Sequence, residues 1–234
     1  MKSITLILLS CACFAADEPA APVKPKPITE FPEEATEGEL SGGWGHRFNA
    51  KRTGKYEVEG AALKLTAASG SDINPGSSFN APSSLVDVEG DFIAEITLDP
   101  LPTDHGGWVG GGLFVFANDK QVARLNHAHH KHKSDEPYEE VLDWIHSDKA
   151  GKLQSINLSS IKYDVTKPRL FRIERRGNRL HGAFSNDGTA WTELYPFNIS
   201  HWPPKLKVGP FVLNASSSPK TLRFTAFKVT PKAQ

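Results

Sequence analysis

The stretch Phe92-Ile93-Ala94-Glu95-Ile96-Thr97-Leu98 alternates: Phe92, Ala94, Ile96 and Leu98 fall on one face of an extended chain, Glu95 and Thr97 on the other. A period of two is the pattern of a strand with one face in a core. The same grammar recurs on both sides. Upstream, Tyr56/Val58 and Leu63/Leu65 read as a hairpin broken at Gly60. Downstream, Gly112 to Phe116 and Gln121 to Asn126 read as strands joined by the turn Ala117-Asn118-Asp119-Lys120. Val141 to Ile145, Leu153 to Leu158 and Leu170 to Glu174 follow. Leu180 to Ser185 and Trp191 to Leu194 flank Asn186-Asp187-Gly188-Thr189, a hairpin signal. Lys205 to Leu213 and Leu222 to Val229 close the chain, and no ten-residue stretch carries a 3.6 period. The pattern predicts an all-β fold, a two-sheet antiparallel jelly-roll sandwich, over residues 40–232.

What precedes it reads differently. Residues 1–15 have the grammar of a bacterial signal peptide: Lys2, the apolar run Ile4 to Leu9, and small residues around Ala15 and Ala16. The run is too short to span a membrane, which takes about 20 apolar residues. Leu8-Leu9-Ser10-Cys11 also fits a lipoprotein box, so an acylated Cys11 and a cleaved Ala16 are both open as the mature N-terminus. Residues 16–39, with Pro19, Pro22, Pro25, Pro27, Pro32 and an acidic run from Glu33, read as a disordered spacer. The expected location is exported: periplasmic, cell-surface or extracellular. Cys11 and Cys13 are the only cysteines of the 234-residue chain, so the sandwich is expected to hold together without disulfides. Formal net charge is zero and the charges are interspersed, which argues against a nucleic-acid partner.

Five segments in order resemble a known family. They are Val88-Glu89-Gly90-Asp91-Phe92, Gly111-Gly112-Leu113-Phe114-Val115-Phe116, Leu170 to Asn178, Ser185-Asn186-Asp187-Gly188-Thr189-Ala190-Trp191, and Val208-Gly209-Pro210-Phe211. The set resembles the concanavalin A-like lectin/glucanase superfamily, and within it the domains of unknown function related to the C-terminal module of bacterial β-xylosidases. The resemblance implies a jelly roll of two curved antiparallel sheets, with ligands on the concave face or at its rim. It also allows a structural calcium ion, although no Asp-x-Asp-x-Asp loop marks a place for one. It implies no activity, because function lives in sites and not in folds.

Hydrolysis of a glycoside needs two carboxylates flanking the bond. Glucanases of the superfamily carry Glu-x-Asp-x-x-Glu or Glu-x-Asp-x-Glu, and this chain has neither. Glu95 and Glu174 are the candidate acid and base, with a structural ion pair as the alternative. Strand phase groups Glu95 with Thr97, Arg124 with Asn126, and Arg172 with Glu174. On neighbouring strands these would make one polar face suited to sugar hydroxyls, or a solvated face of cross-strand ion pairs. Sugars also stack on aromatic rings. Trp108, in a Gly-rich stretch, and Trp144, in phase with Glu140 and His146, are the favoured platforms among Trp44, Trp108, Trp144, Trp191 and Trp202. The carbohydrate-binding set is therefore Glu95, Trp108, Arg124, Asn126, Trp144, Arg172 and Glu174.

His127-Ala128-His129-His130-Lys131-His132 is the most unusual local run. His127, His129, His130 and His132 are candidate ligands for a divalent metal; the alternative is an exposed loop that gains charge in acid. No serine-hydrolase, zinc-protease, phosphate-loop or dinucleotide motif is present. Three functions stay open: a non-catalytic carbohydrate-binding or surface-recognition module with a polysaccharide or glycan partner, a cell-envelope structural or assembly domain with protein partners, and a glycoside hydrolase.

Overall fold

Alternating runs separated by Gly, Pro, Asn and Asp become strands, and among the described residues there is no helix. The computed structural model describes residues 36–48, 54–75, 78–131, 139–157 and 167–232. The leader, Cys11, the Pro-rich run and His132 lie outside them. In chain order the strands are β1 (Thr36–Leu40), β2 (Gly45–Phe48), β3 (Lys55–Glu59), β4 (Ala62–Ala67), β5 (Ile73–Asn74), β6 (Ser78–Phe79), β7 (Ser83–Glu89), β8 (Phe92–Leu98) and β9 (Gly107–Asn118). They continue as β10 (Gln121–Lys131), β11 (Glu139–Ser147), β12 (Leu153–Asn157), β13 (Arg169–Arg176), β14 (Arg179–Ser185), β15 (Trp191–Glu193), β16 (Phe197–Asn198), β17 (Lys205–Asn214) and β18 (Lys220–Pro231).

The first sheet runs β1-β2-β7-β17-β9-β10-β11-β12 and the second β15-β14-β13-β8-β18-β4-β3, with β16 paired to β14. Both are antiparallel, as in β9–β10–β11 and β8–β13. This is the two-sheet sandwich that the alternation requires. Between the sheets, β8 contributes Phe92, Ala94, Ile96 and Leu98, the face expected to be buried. Leu113 and Val115 of β9, Leu125 of β10 and Phe171 and Ile173 of β13 meet them. Burying one such side chain contributes about 1.5–3 kcal/mol, so this core can hold a domain without disulfides.

Trp144 lies inside this core and not on a polar face: it is fully buried, with its ring stacked on Phe197 at 4.5 Å. Its Nε1 donates to the Tyr195 carbonyl at 2.9 Å, which satisfies the indole's one polar atom. A Cβ on Gly182 of β14 would come within 3.0 Å of that ring, so the glycine makes room for the indole between the sheets. The partners of Trp144 in strand phase are Leu142 and the half-buried His146, whose ring packs on Phe197. That face belongs to the interior, so Trp144 has no surface to offer a ligand.

The first sheet is also covered on part of its other face. The small β5–β6 hairpin lays Ile73, Phe79 and Ala81 over Phe48, Phe114, Phe116 and Phe211. Phe79 sits 6.1 Å from Phe114 and 5.7 Å from Phe116. A strand covered on both faces reads as a continuous apolar run, which is why Gly112 to Phe116 does not alternate. At the far edge of the second sheet, the turn between β14 and β15 forms around Asp187. Its Oδ1 accepts from the Thr189 and Ala190 amides at 2.8 and 2.9 Å, and Gly188 takes the left-handed φ of +78° that a glycine adopts without strain.

Candidate functional site

Beside the hairpin, the outer face of the first sheet turns polar. Register places Asn126 of β10 opposite Asp143 of β11, and Trp108 of β9 opposite His130 of β10. Arg124 stands two residues before Asn126 on the same face. A cleft of about 420 Å³ lies there, with Asp72, Trp108, Arg124, Asp143, Leu213 and Asn214 among its lining. The Ser71 amide and carbonyl pair with those of Asn214, which anchors the strap that carries Asp72 to the cleft.

Each polar group here is held differently. Arg124 Nη1 donates to Asp72 Oδ1 at 3.0 Å and to the Ile73 carbonyl at 3.1 Å, which ties the hairpin to the sheet. Its Nε is buried with no hydrogen-bond partner. Asp143 is 6% exposed, and burial pushes its carboxyl above the usual range, against the opposing pull of Arg124 and the Asn126 amide. Asn126 is wholly buried; its side-chain amide interacts with the Asp143 carboxyl across the strand pair and pulls that pKa down, while its Oδ1 is left without a hydrogen-bond partner. Trp108 is half-buried at the rim, its ring 5.3 Å from that of His130.

Trp108, Arg124 and Asn126 are therefore brought together, and the second sheet holds Glu95, Arg172 and Glu174. β8 and β13, which carry these three, are neighbours of each other but not of β10, so the single polar face expected from phase is two faces on opposite sides of the molecule. Glu95 and Arg172 are register partners; Arg172 Nε and Nη2 donate to Glu95 Oε1 at 2.8 and 2.6 Å. The Arg172 guanidinium lies 3.8 Å over the Trp191 ring, a cation–π contact. Glu174 faces Ile93 in the register, not Glu95. It is gripped by Arg176 at 2.5 Å and by Lys232, and the Arg176 hydrogen bond, outweighing burial, holds its carboxyl down at about 2.

The histidine run divides as well. It is strand through Lys131, not an exposed loop. His127 and His129 are buried on the core side, rings 5.3 Å apart, and His105 stacks near His129 at 6.4 Å. His130 points to the opposite face beside Trp108. Among the described residues no group of three or more His, Cys, Asp and Glu could hold a metal ion. Of the remaining tryptophans, Trp44 and Trp202 are buried.

Asp72 and Asp143 are site residues that strand phase did not single out. For Asp143 a signal existed: a lone carboxylate in Val141-Leu142-Asp143-Trp144-Ile145, an otherwise apolar strand. Asp72 sits in Ser69-Gly70-Ser71-Asp72, which carries only turn chemistry.

No protein-family model matches the sequence, and no curated protein matches it. Among solved structures, a functionally unknown protein from Saccharomyces cerevisiae superposes with a TM-score of 0.65 at 15% identity, over 84% of this chain and 100% of that one. A xylan β-1,4-xylosidase from Bacillus halodurans C-125 gives 0.51 at 12% identity, over 74% of this chain and 38% of its own. The GH43 protein BlXynB from Bacillus licheniformis gives 0.52 at 13%, over 71% and 32%. The chain thus spans about a third of each of these two bacterial proteins. At such identities the likeness shows the fold alone, a two-sheet antiparallel β-sandwich.

Proposed function

We propose that the protein is an exported carbohydrate-binding module and that its ligand occupies the cleft beside Trp108. One observation carries the reading: Arg124 Nε and Asn126 Oδ1 are buried without hydrogen-bond partners, beside the Asp143 carboxyl that lines the cleft. Buried polar groups are almost always hydrogen-bonded, and an unmet one costs about 1–3 kcal/mol. A sugar hydroxyl both donates and accepts, and so can meet the arginine, the amide and the carboxylate together. Trp108 supplies the apolar platform at the rim. The ordered motifs and the shared fold support kinship with the C-terminal module related to bacterial β-xylosidases.

Hydrolysis fits less well. A general acid must hold a proton near the working pH, and Glu174 is fixed as a carboxylate by two cations. Glu95 is engaged by Arg172. A cell-envelope structural role draws support from the aromatic cluster under the hairpin and from the mutually satisfied Glu95–Arg172–Trp191 group. A glycan array separates the two: retention of a glycan, lost in Trp108→Ala, supports binding, whereas an array with no retained glycan returns the assignment to the envelope role. Export rests on the leader grammar of residues 1–15, and mass spectrometry of the mature protein tests it. A free Ala16 or an acylated Cys11 supports export; an unprocessed Met1 in a bacterial host refutes it.

A further inference from the structure

We infer that the cleft selects a neutral sugar through two adjacent hydroxyls and rejects uronic acids and other anionic saccharides. The inference rests on the carbohydrate reading above and names its ligand class. Among the described residues the charged lining is one cation, Arg124, against two carboxylates, Asp72 and Asp143; the other described lining residues are uncharged. The cation is already engaged, because Arg124 Nη1 is bound to Asp72 Oδ1 and the Ile73 carbonyl. Among the described residues Asp143 has no such ion pair. Asp72 and Asp143 together outnumber Arg124, so the charged lining is not electropositive. An incoming carboxylate would meet a like charge in a partly desolvated site, where Coulomb repulsion is strong.

The unmet groups suit hydroxyls. Asp143 offers acceptor oxygens. Asn126 Oδ1 offers a further acceptor, and Arg124 Nε offers a donor. A planar carboxylate can bridge two neighbouring oxygens of one ring, the hydroxyls donating to Asp143 or Asn126 Oδ1 while one of them accepts from Arg124 Nε.

The test is calorimetric titration of the full chain at pH 7 with xylohexaose, cellohexaose and mannohexaose, and with hexagalacturonate and hexamannuronate. At least one neutral oligosaccharide is expected to bind at least tenfold tighter than either uronate. A uronate that binds as tightly as the best neutral sugar overturns the inference while leaving the carbohydrate reading standing; binding of none of the five, together with an empty glycan array, overturns both. Asp143→Asn and Asp72→Asn each remove one negative charge from the lining, and Asp72 lies on the strap rather than in the sheet. Each is expected to shift the uronate-to-neutral affinity ratio at least tenfold towards the uronate, and an unchanged ratio in both variants overturns the inference.

Discussion

Asn126 and Asp143 stand opposite each other on β10 and β11, a fully buried amide beside a carboxyl that burial holds above its usual pKa. Folded and unfolded chains therefore bind protons at Asp143 differently. The raised value favours the protonated form in the fold. That stability is complete below the unfolded value of 3.8 and is lost as pH rises through the folded value. Above it the ionised carboxylate is a net cost. Asp143→Asn is accordingly expected to raise Tm at pH 7 and to give no gain at pH 3. The same variant should weaken sugar binding by about 10–100-fold, the loss of a hydrogen bond to a charged group. Thermal melts at the two pH values and a binding titration check both halves.

Glu174 has the opposite sign. Its carboxyl lies well below 4.5, at about 2, through Arg176 first and Lys232 after it. A depressed value contributes stability above the unfolded pKa that disappears as pH falls towards the folded one. Glu174→Gln should cost about 1–2 kcal/mol at pH 7, less than the whole shift because Arg176 and Lys232 are themselves exposed to screening. Urea denaturation should show the gap between variant and parent closing as pH falls from 4.5 towards 2.

The two favoured tryptophans should separate by readout. Trp144→Phe removes the donor to the Tyr195 carbonyl and part of a fully buried ring, and should cost about 1–3 kcal/mol of stability. Trp108→Ala, at the rim of the cleft, should weaken ligand binding about tenfold or more with a smaller change in Tm. Parallel melts and titrations of the two variants check this.

Gly182→Ala tests the packing against Trp144. The added methyl would sit 3.0 Å from the indole, closer than relaxed packing allows. Overpacking of this kind costs about 1–3 kcal/mol, and differential scanning calorimetry should record a lower Tm.

Strand phase told which residues share a face wherever one face is wet. It placed Phe92, Ala94, Ile96 and Leu98 inside, and it put Arg124 with Asn126. It could not tell which strands are neighbours. β8 and β10 lie in different sheets because the chain crosses the sandwich between them, and nothing local in Glu95 or Arg124 records that crossing. Phase also failed on β11, where Val141, Asp143 and Ile145 on one side and Leu142 and Trp144 on the other are all buried. With both faces covered, periodicity carries no direction, and Trp144 and Asp143 are each on the face opposite to the one their neighbours suggest. Asp72 acts through a tertiary contact with Arg124, across 52 residues of chain, which no spacing rule encodes.

Sugar binding in the cleft on the outer face of the first sheet can be measured on the whole chain. Its most direct measurement is a depletion assay on insoluble polysaccharides, run side by side with the parent chain and Trp108→Ala. At least one polysaccharide is expected to remove the parent from solution and to leave most of the variant behind. A parent that stays in solution with every polysaccharide, or a variant that is depleted as fully as the parent, would contradict sugar binding in the cleft.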